Sequence, residues 1–177
     1  MTPVLRGLAI AFALILSARA GCAEAIKIVA VGASNTWGWG VRAQDAFPAR
    51  LQTILRQQGI DATVISAGVI GNTAAGMLGR IDTAVPDDTN IVILQPGSND
   101  LRFGASKERR AATIAAIVDR LQRRQIRVIV YDPEFPRSYF ALDGIHFTAA
   151  THAKIAITLA EQIASELNRP EIEEKMR

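Results

Sequence analysis

The strongest fold signal in this chain of 177 residues is the stretch IKIVAVGASNTWG, residues 26–38. Its first half, residues 26–31, is short and mostly apolar, as is typical of a strand buried on both faces of a sheet. Glycines at positions 32 and 38 allow a sharp turn, in which Ser34 stands just past the predicted strand end. For an isolated serine at this position, a helix N-cap is the plain interpretation. The alternative is a hydroxyl exposed for chemistry.

The rest of the chain repeats this pattern, with short apolar runs separated by longer helical patterns. Three more strands are predicted, at residues 62–66, 90–94 and 127–131, and four helices, at residues 48–58, 73–85, 106–125 and 148–167. Strands that alternate with helices in this way indicate one α/β domain with a parallel sheet. The charged residues 168–177 are expected to form a solvated tail.

The Asp-Gly-Ile-His segment near the other end of the chain changes the interpretation of Ser34. Ligands of open parallel sheets bind beyond the carboxyl ends of the strands, and Asp143 and His146 lie in a loop predicted at that edge. A histidine can take the proton of a serine hydroxyl when a carboxylate holds its imidazole in the correct tautomer. His152, the other histidine, falls inside the last predicted helix and is expected to be a surface or packing residue.

Two further loops supply hydrogen-bond donors. Asn99 follows the third predicted strand and carries a side-chain amide, while Gly71 precedes a helix start, where backbone N–H groups are free. Each of them alone is an ordinary turn residue. Together with the backbone N–H of Ser34 they provide the donors of an oxyanion hole. The residues therefore suggest a serine hydrolase in which Ser34, Asp143 and His146 are catalytic.

These segments resemble, in their order, the sequence blocks of the SGNH or GDSL hydrolases. The family block Gly-Asp-Ser-x-Thr-x-Gly is similar to residues 32–38, and the later blocks are similar to Gly71 and to residues 97–100 and 143–146. The resemblance spans about residues 26–165 and is closest to bacterial periplasmic thioesterases and lysophospholipases. It implies a flavodoxin-like three-layer α/β/α sandwich with four to five parallel strands. It also implies an esterase that needs no metal or organic cofactor and acts on acyl esters, thioesters, lysophospholipids or acetylated sugars.

The sequence departs from the family pattern at two places. Ala33 stands where the family usually has an aspartate beside the nucleophile, which predicts a less firmly held turn rather than an inactive site. Only residues 132–142 separate the fourth strand from Asp143, whereas the family usually inserts a helix and a strand there. Without that insertion, the sheet can have four strands instead of five, and the pocket is expected to be shallower than in the family. The aromatic residues of these loops are expected either to line that pocket or to close the core: Trp37, Trp39, Phe103 and Tyr139.

The N-terminus differs from the rest of the chain. A basic residue, an apolar run over residues 8–18 and then small residues are typical of a secretory signal peptide, residues 1–25, followed by a domain of residues 26–177. The run is too short for a membrane-spanning helix, so a periplasmic or secreted protein is expected. Cys22 is the only cysteine, which excludes an intramolecular disulfide. A lipid-modified Cys22 is the alternative, although Arg19 stands where a lipobox has an apolar residue.

Other functional classes fit the sequence less well. The formal net charge is only +3, and the basic clusters at residues 107–110 and 120–127 alternate with apolar helix positions, which favours a solvated helix face over nucleic-acid binding. A loose dinucleotide-type glycine pattern begins at Gly38, but it starts late in the loop and no acidic residue ends the second strand. The remaining alternative is a catalytically inactive ligand-binding module on the same fold.

Overall fold

The computed structural model describes residues 25–175, with side chains through residue 167. The signal-peptide prediction and Cys22 lie outside the described residues. The strands are β1 (Ile26–Gly32), β2 (Ala62–Gly68), β3 (Ile91–Gln95) and β4 (Arg127–Val130). They form a four-stranded sheet in the order β2-β1-β3-β4, and each neighbouring pair is parallel. The predicted α/β class with a parallel sheet is confirmed.

The register of the strands brings their carboxyl ends to one edge of the sheet, which we call the carboxyl edge. Gly32 at the end of β1 lies opposite Gly68 of β2 and Gln95 of β3. Leu94 lies opposite Val130 at the end of β4. The four loops that carry the predicted site residues therefore leave the sheet at the same edge.

The helices are α1 (Ser34–Trp37), α2 (Phe47–Gln57), α3 (Ala74–Ala84), α4 (Asn99–Arg102), α5 (Lys107–Arg123) and α6 (Ala149–Lys175). Helices α2 and α6 contact each other, and so do α3 and α5. Strand β1 shows how the layers are arranged: Ile28 and Ala30 belong to the core shared with α2 and α6, whereas Val29 and Val31 belong to the core shared with α3 and α5. The three-layer α/β/α sandwich is confirmed.

Helix α6 continues further than the sequence analysis predicted. Its end was expected at residue 167, with a charged tail after it, but the helix runs through Pro170 to Lys175. Charge does not by itself end a helix, because glutamate and lysine have high helix propensities. Neither α6 nor any other helix within residues 25–175 is apolar over a stretch long enough to cross a membrane.

The segment between β4 and Asp143 adds no strand to the sheet within the described residues. It contains a 3₁₀ turn at Arg137–Tyr139 and a single bridge between Phe140 and Phe147. The ring of Phe135 packs 4.7 Å from that of Phe147 and closes the core on this side. The sheet therefore has four strands rather than five, and β4 is its edge strand.

Candidate active site

Ser34 stands at the start of α1, directly beyond β1. The N-cap of α1 is Ala33, so the interpretation of Ser34 as a helix N-cap is wrong. The turn is compact, because a Cβ atom added at Gly32 would lie 1.9 Å from Thr36 Oγ1. Gly38 ends it with a φ of 92°, a left-handed conformation that glycine adopts without strain. The side chain of Ser34 is largely buried, with 7% of the residue exposed.

His146 connects Ser34 to Asp143 through its two ring nitrogens. Its Nε2 lies 3.1 Å from Ser34 Oγ, and its Nδ1 lies 2.6 Å from Asp143 Oδ2. The other oxygen, Asp143 Oδ1, accepts the backbone N–H groups of Ile145 at 2.9 Å and His146 at 3.0 Å. These backbone bonds, and then the His146 ring, hold the pKa of Asp143 well below its usual range. Asp143 is therefore ionised throughout the neutral range and keeps the imidazole oriented.

Asn99 and Gly71 lie on neighbouring loops of the carboxyl edge. The Asn99 amide donates one hydrogen bond, of 2.9 Å, to the carbonyl of Asn72, the residue after Gly71. Gly71 is exposed and has a φ of 74°. The buried carboxylate of Asp100 accepts the backbone N–H of Ala74 at 2.9 Å and ties the Asn99 loop to the start of α3. The structure thus joins the two predicted donor segments to each other.

Asn35 is a site residue that the sequence analysis missed. Its Nδ2 donates to the carbonyl of Ile145 at 3.1 Å, and its Oδ1 accepts the N–H of Phe147 at 2.9 Å. The two bonds flank His146 on both sides in sequence, so the residue after Ser34 holds the backbone that carries His146. A single sequence contains no signal for this pairing, because the partners lie 110 and 112 positions apart.

Two arginines connect the loops of the carboxyl edge to the strand ends beneath them. Arg80 donates to the carbonyls of Gly32 and Ala67, at 3.2 and 2.8 Å. Arg110 donates to the carbonyl of Gly97 at 2.8 Å and pairs with Asp132 at 2.7 Å. Burial lowers the pKa of Arg80 from its usual value. Each arginine thus ties two loops or strand ends together.

Two open cavities flank this group. One, of about 500 Å³, lies between the Asn99 loop and the segment after β4. Its walls combine apolar and polar side chains, among them Asn35, Leu101, Lys107, Phe135 and Phe147. The other, of about 460 Å³, lies on the opposite side of His146 and is lined partly by Trp39 and Asp143.

The aromatic residues singled out in the sequence divide into two groups. Trp37, Trp39 and Phe103 are exposed by 53%, 44% and 69%. Tyr139 is instead half-buried, packs beside Phe135 and carries Lys154 above its ring at 4.8 Å. Three of the four therefore face solvent at the carboxyl edge, and Tyr139 packs on the segment after β4.

His152 was predicted to be a surface or packing residue, and the structure shows that it packs in the core. It is fully buried, stacks on Phe47 and lies edge-on to Phe147. Its Nδ1 accepts the N–H of Phe47 at 3.2 Å, so the ring is neutral and its proton is on Nε2. Desolvation, together with the charge of Arg50, lowers the pKa of His152 to about 4.

Burial of neutral His152 predicts a loss of stability in mild acid. The unfolded chain binds a proton on this histidine near pH 6.5, whereas the folded chain binds it near pH 4. The resulting stabilisation is fully present above pH 6.5 and is lost as the pH falls towards 4. The expected loss of unfolding free energy is about 3 kcal/mol at most.

Denaturant titrations of the wild type and His152→Leu across this window test that expectation. The variant is expected to be less stable at neutral pH but to lose less stability on acidification. Asp143 does not obscure the result, because its pKa lies below 3.8 in the folded chain. If the unfolding free energies of the two proteins fell equally with pH, His152 would not be the cause of the acid destabilisation.

Comparisons with known proteins indicate the family of the chain. The model of the GDSL-like lipase/acylhydrolase family matches residues 30–161. Esterase TesA of Pseudomonas aeruginosa is 25% identical over 118 residues, which are 66% of this chain and 59% of TesA. An arylesterase of Vibrio mimicus is 23% identical over 125 residues, 70% of this chain and 62% of that protein. The chain thus spans about three fifths of the length of these curated relatives.

A solved structure supports the same assignment. The esterase AlinE4, described as a member of the SGNH-hydrolase family, superimposes with a TM-score of 0.59 at 35% identity. The match covers 67% of this chain and 64% of AlinE4. Since the family model covers most of the chain, the resemblance noted in the sequence is confirmed, and the chain belongs to the GDSL-like lipase/acylhydrolase family.

Proposed function

We propose that the protein is a serine esterase that hydrolyses small carboxylic esters or thioesters through an acyl-enzyme intermediate. The observation that carries the proposal is the continuous hydrogen-bond chain from Ser34 Oγ through His146 to Asp143. The family and the esterase names of its relatives support the reaction type. Ligand binding alone does not require a carboxylate, an imidazole and a serine hydroxyl in hydrogen-bond contact. The arrangement therefore favours an esterase over an inactive binding module.

The first step forms the acyl-enzyme. Ser34 Oγ attacks the ester carbonyl carbon and gives its proton to His146 Nε2, while Asp143 stabilises the imidazolium. The negative charge on the carbonyl oxygen is stabilised by the N–H groups of Ser34 and Gly71 and by the amide of Asn99. That amide has two hydrogens, and only one is bonded to Asn72, so the other is free to donate to the substrate.

Loss of the alcohol completes the acyl-enzyme, and a second step then releases the acid. When the ester C–O bond breaks, the leaving alcohol takes the proton from His146 and the acyl group stays on Ser34. Water then attacks the acyl carbon, gives a proton to His146 and displaces Ser34, which regains its hydrogen. His146 accepts and returns each proton that is transferred in this cycle, so the proposed reaction uses neither a metal nor a cofactor.

Labelling with a fluorophosphonate probe tests the proposal directly. The probe phosphonylates activated serines, so the wild type is expected to react at Ser34, with the modified peptide identified by mass spectrometry. Ser34→Ala and His146→Ala are expected not to react. A folded wild-type protein that does not react, checked by circular dichroism, would instead favour the inactive binding module.

Two finer parts of the proposal have their own measurements. A series of soluble esters with increasing acyl length separates a lipid-like preference from a preference for acetyl groups. Mass spectrometry of protein exported by a bacterial host tests the proposed signal peptide. A plain N-terminus between residues 20 and 26 is expected, and a lipidated Cys22 would support the anchored alternative.

The contacts of Asn35 predict that this residue positions His146. Leucine has a similar shape to asparagine but forms no hydrogen bonds, so Asn35→Leu removes two part-buried bonds. The loss is expected to lower the free energy of unfolding by about 1 to 3 kcal/mol. The His146 loop is then free to move away from Ser34, and the rate of probe labelling is expected to fall at least tenfold.

Asn90→Leu is the matched control for Asn35→Leu. It also removes a bond between a side-chain amide and the backbone, here the 2.7 Å bond from Lys27 N–H at the opposite edge of the sheet. It is expected to lower the melting temperature without changing the labelling rate. If both variants label equally fast, Asn35 contributes stability only.

A further inference from the structure

We propose that the carboxyl edge of this protein docks on the surface of an anionic phospholipid bilayer. The structure exposes ten large apolar side chains among the described residues, and seven of them lie on the segments that follow the four strands at this edge. We call these seven the apolar ring: Trp37, Trp39, Val69, Ile70, Leu101, Phe103 and Leu142. Clustered exposed apolar residues indicate an interaction surface, whereas scattered ones do not.

Several members of the apolar ring lie next to residues of the proposed site. Trp39 lies 5.7 Å from the His146 ring and 6.1 Å from Trp37. On the other loops, Ile70 directly precedes Gly71, and Leu142 directly precedes Asp143. Docking through the ring therefore places the serine against the surface that the ring contacts.

The composition of the apolar ring favours lipid over a saccharide. Sugars are bound by flat aromatic faces together with polar side chains, whereas four members of the ring are the aliphatic residues Val69, Ile70, Leu101 and Leu142. Leu142 is 100% exposed and Phe103 69%, so both protrude into solvent. Tryptophan, phenylalanine and leucine are the residues that insert at the boundary between headgroups and acyl chains.

The charges around the apolar ring complement an anionic surface. Arg102, Lys107 and Arg137 are exposed and, in the part of the chain that the structure describes, none has a carboxylate within ion-pair distance. Arg137 donates instead to the carbonyls of Ala141 and Leu142 beneath the ring. Basic residues near a membrane surface are attracted to anionic headgroups.

The acids of the same segments are only partly paired with bases. Asp45 and Asp132 are paired with arginines, and Asp100 is buried against a backbone N–H. Asp143 keeps its charge, because its partner His146 is the proton acceptor of the proposed reaction. Glu108 and Glu134 are exposed and, among the described residues, have no base within ion-pair distance. The bases of these segments still outnumber the acids, which leaves a small excess of positive charge around the ring: Arg42, Arg50, Arg80, Arg102, Lys107, Arg109, Arg110 and Arg137 against Asp45, Asp100, Glu108, Asp132, Glu134 and Asp143.

The docking does not depend on catalysis. Its use, to present Ser34 to esters carried in the lipid, rests on the proposed function. The two can be tested separately, because hydrolysis of a soluble ester requires no vesicle and vesicle binding requires no turnover.

The chain contains its own reporter for the test. Trp37 and Trp39 are its only tryptophans, so the intrinsic tryptophan fluorescence comes from the apolar ring alone. Vesicles of equal parts phosphatidylglycerol and phosphatidylcholine are expected to shift the emission to shorter wavelength. Vesicles with brominated acyl chains are expected to quench it. Pure phosphatidylcholine vesicles and high salt are expected to weaken both effects.

Two variants show whether the ring is responsible. Phe103→Ser combined with Leu142→Ser is expected to lower the affinity for the mixed vesicles at least about tenfold. Ile157→Ser is the matched control, since Ile157 is 49% exposed but lies on α6 outside the ring. Its affinity is expected to equal that of the wild type.

Three results would overturn the proposal. The first is wild-type tryptophan emission that brominated vesicles do not quench. This result needs no variant, so it excludes docking even if the double variant fails to fold. The second is a folded double variant that binds vesicles as tightly as the wild type. The third is emission that responds to protein concentration or to xylo-oligosaccharides but not to vesicles, which would assign the ring to a second copy or to a saccharide.

Discussion

Ser34→Ala is expected to lower kcat for a soluble ester by at least about 10⁴-fold, with a much smaller change in KM. Its Oγ is the atom that bonds to the substrate carbon, and it lies 3.1 Å from the nitrogen that takes its proton. The methyl group of alanine fits the same space, so the fold is expected to survive. Initial rates at saturating ester, with the melting temperature measured in parallel, check the prediction.

Ser138→Ala is the control for Ser34→Ala. Ser138 is an exposed serine in the 3₁₀ turn after β4, on the same side of the sheet but without a hydrogen bond to a histidine in the described chain. Its removal is expected to leave kcat unchanged. If Ser34→Ala retained a tenth of the wild-type kcat with an unchanged melting temperature, Ser34 would not be the nucleophile.

The layered α/β fold could be predicted from the sequence, because its strands are apolar and buried on both faces. Residues of β1 such as Ile28 and Val29 point to opposite layers, so both had to be apolar, and the run was recognisable without any structure. The end of α6 was not recognisable, because residues 171–175 carry the charges of a tail together with the propensities of a helix. The number of strands depended on whether residues 132–142 would form a fifth strand. A short irregular segment has no hydrophobic periodicity, so its secondary structure could not be predicted.

The site could be predicted where two interacting side chains lie in the same loop. Asp143 and His146 are three residues apart, and the spacing alone suggested how a carboxylate reaches an imidazole. Contacts between distant segments had no such signal. Asn35 stands at an unspecified position of its block, and only the fold shows that its amide holds the backbone of Ile145 and Phe147.

The structure also changes what Ala33 is expected to do. An aspartate is usual at this position in the family, and its absence suggested a loosened turn. Ala33 is instead 4% exposed and packs within the core shared with α3 and α5. The turn has other supports, since Thr36 Oγ1 donates to Gln95 Oε1 at 3.1 Å and Asn35 binds the His146 loop. These contacts hold Ser34 without a carboxylate beside it.

Asp143→Asn is expected to lower kcat/KM by about 10³- to 10⁴-fold while the fold stays intact. The reason lies in how the two carboxylate oxygens are used. Oδ1 accepts two backbone N–H groups, which an asparagine oxygen continues to do. The asparagine nitrogen then takes the place of Oδ2 and donates to His146 Nδ1. The imidazole proton is forced onto Nε2, which can no longer accept a proton from Ser34.

The control for Asp143→Asn is Asp132→Asn, which removes a carboxylate from the same edge of the sheet, where it pairs with Arg110. It is expected to lower kcat/KM less than tenfold. Steady-state rates across pH add a second readout. Because the pKa of Asp143 lies far below its usual range, protonation of this carboxylate is expected not to contribute to the acid limb of the wild-type profile. A variant Asp143→Asn that kept more than a tenth of the wild-type kcat/KM would show that the tautomer of His146 is set by another group.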